Sequence, residues 1–254
     1  MNSGGPVLRA WLTTWMLALA AVSAQAAQVQ VAVAANMAAP MKQIAADFER
    51  ATGHHAVVVL GSTGKLYAQI RVGAPFDVLL AADDETPARL EAEGLAVRGT
   101  RFTYATGRLV LWSADPAAVD AQGQVLRQPP QGKLAIADPR LAPYGAAALQ
   151  VLAALGVASA WAPHLVQGES IGQAYQFTAT GNARLGFVAL AQVMAAGRIT
   201  SGSAWIVPAD LHKPLRQDAI VLTPGRSNAA AAALLHYLRG DAARATLRGY
   251  GYVT

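Results

Sequence analysis

Short apolar runs alternate with amphipathic segments from residue 29 onwards. The run at 29–34 is short, apolar and rich in valine, which predicts a buried β-strand. After it, Met41, Ile44 and Phe48 recur at the spacing of one helix face, and Gly53 closes the segment. The pattern therefore predicts a strand, a loop and a helix, in that order.

Two more units of the same kind follow. The first places a strand at 56–60 and a helix with Leu66 and Ile70 facing inward. The second reads FDVLLAADDETPARLEAEGL, in which Asp83 or Asp84 caps the helix. Three consecutive strand–loop–helix units predict a parallel sheet with helices on its faces. Ligands bind such sheets at the carboxyl ends of the strands, where the first two loops lie.

A second α/β region begins near residue 107. The segments GKLAIADPRLAPYGAAALQVLAALG, HLVQGESIGQAYQFTATG and ARLGFVALAQVMAAG each predict a strand followed by a helix, and the C-terminal residues predict two more helices. We expect two lobes, one formed by residues 27–106 plus 217–254 and the other by residues 107–216. Two crossover segments would join them, so that the cleft between the lobes can close.

The N-terminus has the pattern of a secretory signal peptide. One basic residue, Arg9, precedes an apolar stretch at 10–22, which is shorter than the ~20 residues of a membrane span. The sequence Ala24-Gln25-Ala26 forms a cleavage site. We expect residues 1–26 to be removed and the protein to be exported to a bacterial periplasm.

Composition excludes several classes of function. The chain has no cysteine, which removes disulfides, thiolate metal sites and thiol nucleophiles. Charged residues make up only 14% of it, and the basic ones are scattered, so we expect no nucleic acid as a partner. None of the five histidines pairs with a carboxylate at the spacing of a metal-binding helix, and we expect no bound metal cation and no cofactor.

The loop at 61–65, Gly-Ser-Thr-Gly-Lys, looks like a phosphate-binding loop but does not match one. A P-loop needs a glycine where Val59 stands and a hydroxyl where Leu66 stands. The start of a helix nevertheless binds anions through its unpaired N–H groups, and the glycines are expected to let the chain turn tightly. The simpler interpretation is that Ser62 or Thr63 only caps the helix.

Four loops share this character. They read AANMAAP, LGSTGK, DPRLAPYGAA and GESIGQAY, each follows an apolar strand, and two come from each predicted lobe. If the lobes face one another, the main-chain amides at 36–37, 62–64, 144–145 and 171–172 could surround one small anion. No single loop is specific for that role, but the set of four predicts an oxyanion site.

Several longer stretches carry a resemblance to a known family. VAVAANMAAPMKQIAADFERATG, GAPFDVLLAADDE, LAIADPRLAPYGAAALQVL and the terminal YLRGDAARATLRGYGY resemble the periplasmic molybdate-binding proteins of the ModA type. The resemblance implies a two-lobed type II periplasmic-binding-protein fold and no enzymatic activity. It also implies capture of molybdate or tungstate for an ABC importer permease in the inner membrane, by neutral hydrogen-bond donors. We expect a monomer.

The resemblance also assigns candidate ligand-binding residues. Asn36 would donate from its amide or its N–H, Thr63 from its hydroxyl with Ser62 as a substitute, and Tyr144 and Ile171 from their main-chain N–H groups. The family often supplies a tyrosine hydroxyl where this chain has Ala189. We therefore expect the Tyr144 hydroxyl to fold over the anion in its place.

Two alternatives remain open from the sequence. A sulfate- or thiosulfate-binding protein would use the same fold, whereas phosphate would also need a proton acceptor, for which Asp138 and Glu169 are candidates. An exported hydrolase could use Ser62 as its nucleophile, but the sequence places no base beside it. Lys65 is expected to be solvated, since a cation in the first helical turn opposes the dipole.

Overall fold

The computed structural model describes residues 27–254 as two mixed sheets with helices packed against them. The predicted signal peptide, residues 1–26, lies outside the described residues. No helix within 27–254 is long and apolar enough to cross a membrane.

Strands and helices alternate along most of the chain. The strands are β1 (Gln28–Ala34), β2 (His55–Gly61), β3 (Val78–Leu80), β4 (Phe102–Gly107), β5 (Leu109–Ser113), β6 (Leu134–Ala137), β7 (Leu165–Gly168), β8 (Leu185–Ala189), β9 (Met194–Ala195), β10 (Arg198–Ile199), β11 (Ser203–Ile206) and β12 (Leu215–Val221). The helices are α1 (Ala38–Thr52), α2 (Thr63–Arg71), α3 (Glu85–Ala92), α4 (Pro143–Ala154), α5 (Ala158–Trp161), α6 (Ile171–Ala179), α7 (Leu190–Val193), α8 (Ala229–Arg239) and α9 (Asp241–Gly249).

Each lobe is built on one five-stranded sheet. The first has the order β2-β1-β3-β12-β4 and the second the order β11-β5-β8-β6-β7. In each sheet three neighbouring strands run parallel, and the other two pair antiparallel because they lead to or from a crossover. The short β9–β10 pair forms a separate hairpin. This is the predicted two-lobed α/β fold.

The lobes are joined at two places. The first crossing lies at Arg108, because β4 belongs to the first sheet and β5 to the second. The return crossing lies at 207–214, between β11 and β12. Leu215 already pairs with Gly107 in the first sheet, since β12 needs its full length to bridge β3 and β4.

The predicted inward faces form the two main cores. Met41, Ile44 and Phe48 of α1 are fully buried against the valines of β1 and against Leu234 of α8. The second core surrounds β6, α4 and Trp161. It also includes Ala34, Ala35 and Ala82 of the first lobe, so apolar packing continues from one lobe into the other.

Candidate functional site

Two of the four predicted loops leave neighbouring strands of the first sheet. A single 3₁₀ turn, Ala35–Met37, joins β1 to α1, and Ser62 alone joins β2 to α2. Since Ala34 pairs with Gly61, Asn36 and Ser62 emerge side by side at the carboxyl edge of the sheet.

The other two loops are arranged in the same way in the second sheet. β6 and β7 are neighbours, and Ala137 pairs with Gly168 at their carboxyl ends. Tyr144 lies in the first turn of α4, and Ile171 is the first residue of α6. Both residues are almost fully buried. Each lobe therefore presents two helix starts at one sheet edge.

Three contacts show that these two edges face each other. The Gly64 N–H donates to the Leu141 carbonyl oxygen at 2.8 Å. The Lys65 Nζ lies 2.6 Å from Glu169 Oε1. A Cβ placed on Gly172 would lie 3.5 Å from the Ala35 Cβ. The structure is therefore in a closed form, and it brings all four predicted loops together.

Close packing, and not a tight turn, explains the glycine at 64. Neither Gly61 nor Gly64 has a positive φ, so the expected conformational role is wrong. A Cβ on Gly64 would lie 3.0 Å from the Leu141 Cα and 3.1 Å from its carbonyl oxygen. A side chain at this position would keep the second lobe from approaching.

The predicted donors have free main-chain N–H groups. Among the hydrogen bonds within residues 27–254, none uses the N–H of Asn36, Ser62, Thr63, Tyr144 or Ile171. Four of these groups belong to a helix cap or a first helical turn, where no intrahelical acceptor exists. The helix starts also carry partial positive charge, which favours an anion between them.

The two hydroxyls of the loop at 61–65 differ in their partners. Ser62 occupies the N-cap position of α2, but its side chain makes no capping bond, and its buried Oγ has no partner within the described chain. Thr63 Oγ1 accepts from the Ala82 N–H at 3.0 Å, which leaves the hydroxyl proton free to be donated. The capping interpretation is therefore wrong for Ser62, since no capping hydrogen bond forms.

Two residues that no sequence pattern indicated hold the Asn36 side chain. Its Nδ2 donates to Gln217 Oε1 at 2.9 Å and to the Tyr252 hydroxyl at 2.8 Å. Both amide protons are therefore used within the protein, and Oδ1 is buried without a partner in the described chain. Of the two predicted donors of Asn36, only the main-chain N–H is free in this form.

The Tyr144 hydroxyl also enters this polar cluster. It accepts from Gln217 Nε2 at 3.0 Å and lies against Gly107 at the end of β4. Ala189, where the family often has tyrosine, is fully buried, and its N–H donates to Gln192 Oε1. That the Tyr144 hydroxyl replaces the missing donor stays a prediction, because a hydroxyl that accepts from Gln217 still has a proton to donate.

Three tyrosines of the cluster are neutral over the whole physiological range. Burial is the largest cause that raises the pKa of Tyr104, Tyr144 and Tyr252 above the ordinary value. Each hydroxyl therefore keeps its proton and acts as a neutral donor and acceptor.

Two carboxylates near the site are already paired with cations. Hydrogen bonds from Arg140 hold the Asp138 carboxylate and lower its pKa, so it stays ionised. Glu169 is paired with Lys65, which is half-exposed but bound across the cleft and thus not merely solvated as predicted. No group of three or more His, Asp or Glu residues within residues 27–254 could hold a metal ion.

A cavity of about 370 Å³ lies between the lobes beside the loops. Gly64, Ala82, Leu141 and Leu215 line it, but none of the five predicted site residues does.

The sequence and the fold both match known binding proteins. The family model described as bacterial extracellular solute-binding protein matches residues 29–253. The molybdate-binding protein ModA of Azotobacter vinelandii is 58% identical over 234 residues, covering 92% of this chain and 93% of the relative. That of Rhodobacter capsulatus is 50% identical over 248 residues, covering 97% of each.

A solved structure agrees with these relatives. The Azotobacter vinelandii periplasmic molybdate-binding protein superposes with a TM-score of 0.87 and 41% identity, over 89% of this chain and 99% of that one. These relatives are transport binding proteins and not enzymes. The chain belongs to the bacterial extracellular solute-binding proteins and, within them, to the ModA family.

Proposed function

We propose that this protein captures molybdate between its two lobes and delivers it to an ABC importer. The observation that carries the proposal is the set of free N–H groups from four loops, two in each lobe, which meet in the closed form. The relatives reported above are named as molybdate-binding proteins. This chain shares the fold of the solved relative over its described length.

Neutral donors are sufficient to hold such a dianion. A hydrogen bond to an ionised group contributes roughly 1.5–3 kcal/mol. Several of them, less the costs of desolvation and immobilisation, correspond to micromolar or tighter binding. We assign the donor roles to the N–H groups of Asn36, Tyr144 and Ile171 and to the hydroxyls of Ser62 and Thr63.

The paired charges support a fully deprotonated ligand. Both Asp138 oxygens accept from Arg140, and Glu169 is paired with Lys65, so we infer that neither carboxylate turns towards the anion. Phosphate, which is partly protonated at neutral pH, would lack the acceptor that it needs. Cavity size would then favour the larger molybdate and tungstate over sulfate.

The cellular setting is part of the proposal. The pattern of residues 1–26 supports export through a cleavable signal peptide, and the named periplasmic relative supports the periplasm as the destination. The partner would be the inner-membrane permease of the importer, and the binding protein would act as a monomer. The hinge would lie at Arg108 and at residues 207–214.

Calorimetric titration of the protein without residues 1–26 tests the proposal. Molybdate, tungstate, sulfate and phosphate would be compared in parallel. We expect tight one-to-one binding of molybdate and tungstate and at least a hundredfold weaker binding of the other two. Tight sulfate binding with weak molybdate binding would overturn the assignment, and turnover of a chromogenic ester would indicate a hydrolase instead.

A further inference from the structure

A buried polar cluster lies behind the proposed site, where the two lobes join. It consists of Asn36, Tyr104, Tyr144, Gln217 and Tyr252, each at most 5% exposed. Asn36 and Tyr144 belong to two of the anion-binding loops, one in each lobe. The other three residues carry no assigned role.

Gln217 is the centre of this cluster. Its Oε1 accepts from Asn36 Nδ2 and from the Tyr104 hydroxyl, both at 2.9 Å. Its Nε2 donates to the Tyr144 hydroxyl at 3.0 Å. One side-chain amide is therefore bound to a loop of the first lobe and to a loop of the second lobe at the same time.

The backbone around Gln217 fits this role. The pairing of β12 with β4 shifts register between Gln217 and Asp218, and such a bulge re-aims the neighbouring side chains. On the partner strand, a Cβ at Gly107 would collide with the Tyr144 hydroxyl and with Gln217 Nε2. A glycine at the hinge leaves the space that the bridging hydrogen bond occupies.

Tyr252 holds the same loop from the C-terminal segment. Its hydroxyl accepts from Asn36 Nδ2 at 2.8 Å and lies 3.2 Å from the Asn36 carbonyl oxygen. Val253 pairs with Thr106 of β4, which fixes the segment beside the hinge. The side chain and the main chain of Asn36 are thus bound together.

We propose that Gln217, supported by Tyr252, is a positioning residue of the anion site. As the lobes close, the Gln217 side-chain amide holds the Asn36 loop and the Tyr144 loop in a fixed position relative to each other. The inference rests on the proposed function. Gln217 does not touch the anion. It acts by holding two loops whose main-chain N–H groups do.

Three tyrosine-to-phenylalanine variants separate this role from general stability. Tyr144→Phe removes the hydrogen bond that joins Gln217 to the second lobe, and Tyr252→Phe removes two bonds to Asn36 within the first lobe. Tyr104→Phe is the matched control. Its hydroxyl is equally buried and bonds to Gln217 and the Ala81 carbonyl oxygen, but it reaches neither binding loop. Gln217→Met removes all hydrogen bonds of the Gln217 amide and is the most direct variant. If it fails to fold, the tyrosine variants still decide the proposal.

Affinity for molybdate and lobe closure are both measured. Because the chain has no cysteine, dyes can be attached at Val72→Cys and Ala160→Cys, which are exposed in different lobes, and energy transfer between them reports closure. Since losing one neutral hydrogen bond corresponds to roughly fivefold in affinity, we expect that loss for Tyr144→Phe and Tyr252→Phe and less than twofold for Tyr104→Phe. Only Tyr144→Phe and Gln217→Met should shift the ligand-free protein towards the open form.

The outcomes are distinguishable. If Tyr104→Phe, Tyr144→Phe and Tyr252→Phe all bound molybdate with the same affinity, the positioning role would be overturned. A loss in Tyr144→Phe with unchanged energy transfer in the ligand-free protein would also overturn it, and would point to a direct bond from Tyr144 to the anion. Absence of molybdate binding by the unmodified protein would reject the proposed function itself.

Discussion

The Gly64 N–H of the first lobe donates to the Leu141 carbonyl oxygen of the second lobe at 2.8 Å. This bond joins the start of α2 to the loop that precedes α4, and both helix starts contribute proposed donors. A main-chain contact of this kind fixes the distance between the lobes, because neither partner can change rotamer to relieve a misfit. The proposed closed state therefore depends on the absence of a side chain at residue 64.

We expect Gly64→Ala to weaken molybdate binding by roughly tenfold or more, because the added Cβ meets backbone atoms of Leu141 and resists closure. The thermal midpoint of the ligand-free protein should change little, since each lobe keeps its own core. Gly249→Ala is the matched control: its Cβ would have no atom within 4 Å, and its φ is not positive. Calorimetry decides the prediction, and binding of Gly64→Ala within twofold of the unmodified protein would contradict it.

Ser62→Ala should separate binding from stability. The buried Ser62 hydroxyl has no partner in the described chain, so its removal should leave the free energy of unfolding unchanged or slightly higher. Loss of one charge-assisted bond to the anion should weaken binding by about 1.5–3 kcal/mol. Chemical denaturation and titration of the same sample measure both quantities. A variant that binds as tightly as the unmodified protein would remove Ser62 from the site.

Removing the Thr63 hydroxyl should lower both the stability of the protein and its affinity for molybdate. Thr63→Val keeps the shape but leaves the buried Ala82 N–H without its acceptor, which costs about 1–3 kcal/mol of unfolding free energy. It also removes a donor to the anion. Thr63→Ser keeps the hydroxyl and should bind within a few-fold of the unmodified protein. Tight binding by Thr63→Val together with weak binding by Thr63→Ser would show that the methyl group, and not the hydroxyl, is required.

The Lys65–Glu169 ion pair should contribute little to the affinity for molybdate. Both side chains are about half exposed, so the pair is worth ~0.2–1 kcal/mol. We expect Lys65→Met and Glu169→Gln to weaken binding by a few-fold at low salt, with no effect at high salt. A double-mutant cycle measures the coupling between them. A large, salt-independent loss in Lys65→Met alone would instead indicate direct contact between Lys65 and the anion.

Alkaline pH should destabilise the fold through the buried tyrosines. Burial raises the folded-state pKa of Tyr104, Tyr144 and Tyr252, whereas in the unfolded chain they ionise near the ordinary value of about 10. Above that pH the unfolded state binds fewer protons than the folded state, so stability falls as pH rises. The slope should be up to ~1.4 kcal/mol per pH unit for each tyrosine. Below about pH 9 these groups should contribute no pH dependence.

Denaturation at a series of alkaline pH values checks this expectation. Tyr104→Phe should show a shallower slope than the unmodified protein, since one buried hydroxyl no longer resists ionisation. Identical slopes for the unmodified protein and Tyr104→Phe would contradict the prediction.

The local pattern of the sequence determined much of this molecule. Periodicity placed β1, α1 and the start of α2 within a residue or two, because apolar spacing reports which side of an element is buried. The order of strands and helices then predicted two α/β lobes, and the loops at the strand ends predicted where an anion would sit. The resemblance named the family.

Only the tertiary structure decided how the proposed donors are held. Gln217 and Tyr252 lie 181 and 216 residues from Asn36, and no spacing rule connects such distant positions. The need for a glycine at 64 comes from Leu141 in the other lobe, and the Tyr144 hydroxyl is bound at the hinge. Sequence pattern fixes what each segment buries, whereas the partners of a buried polar group depend on which segments the fold brings together.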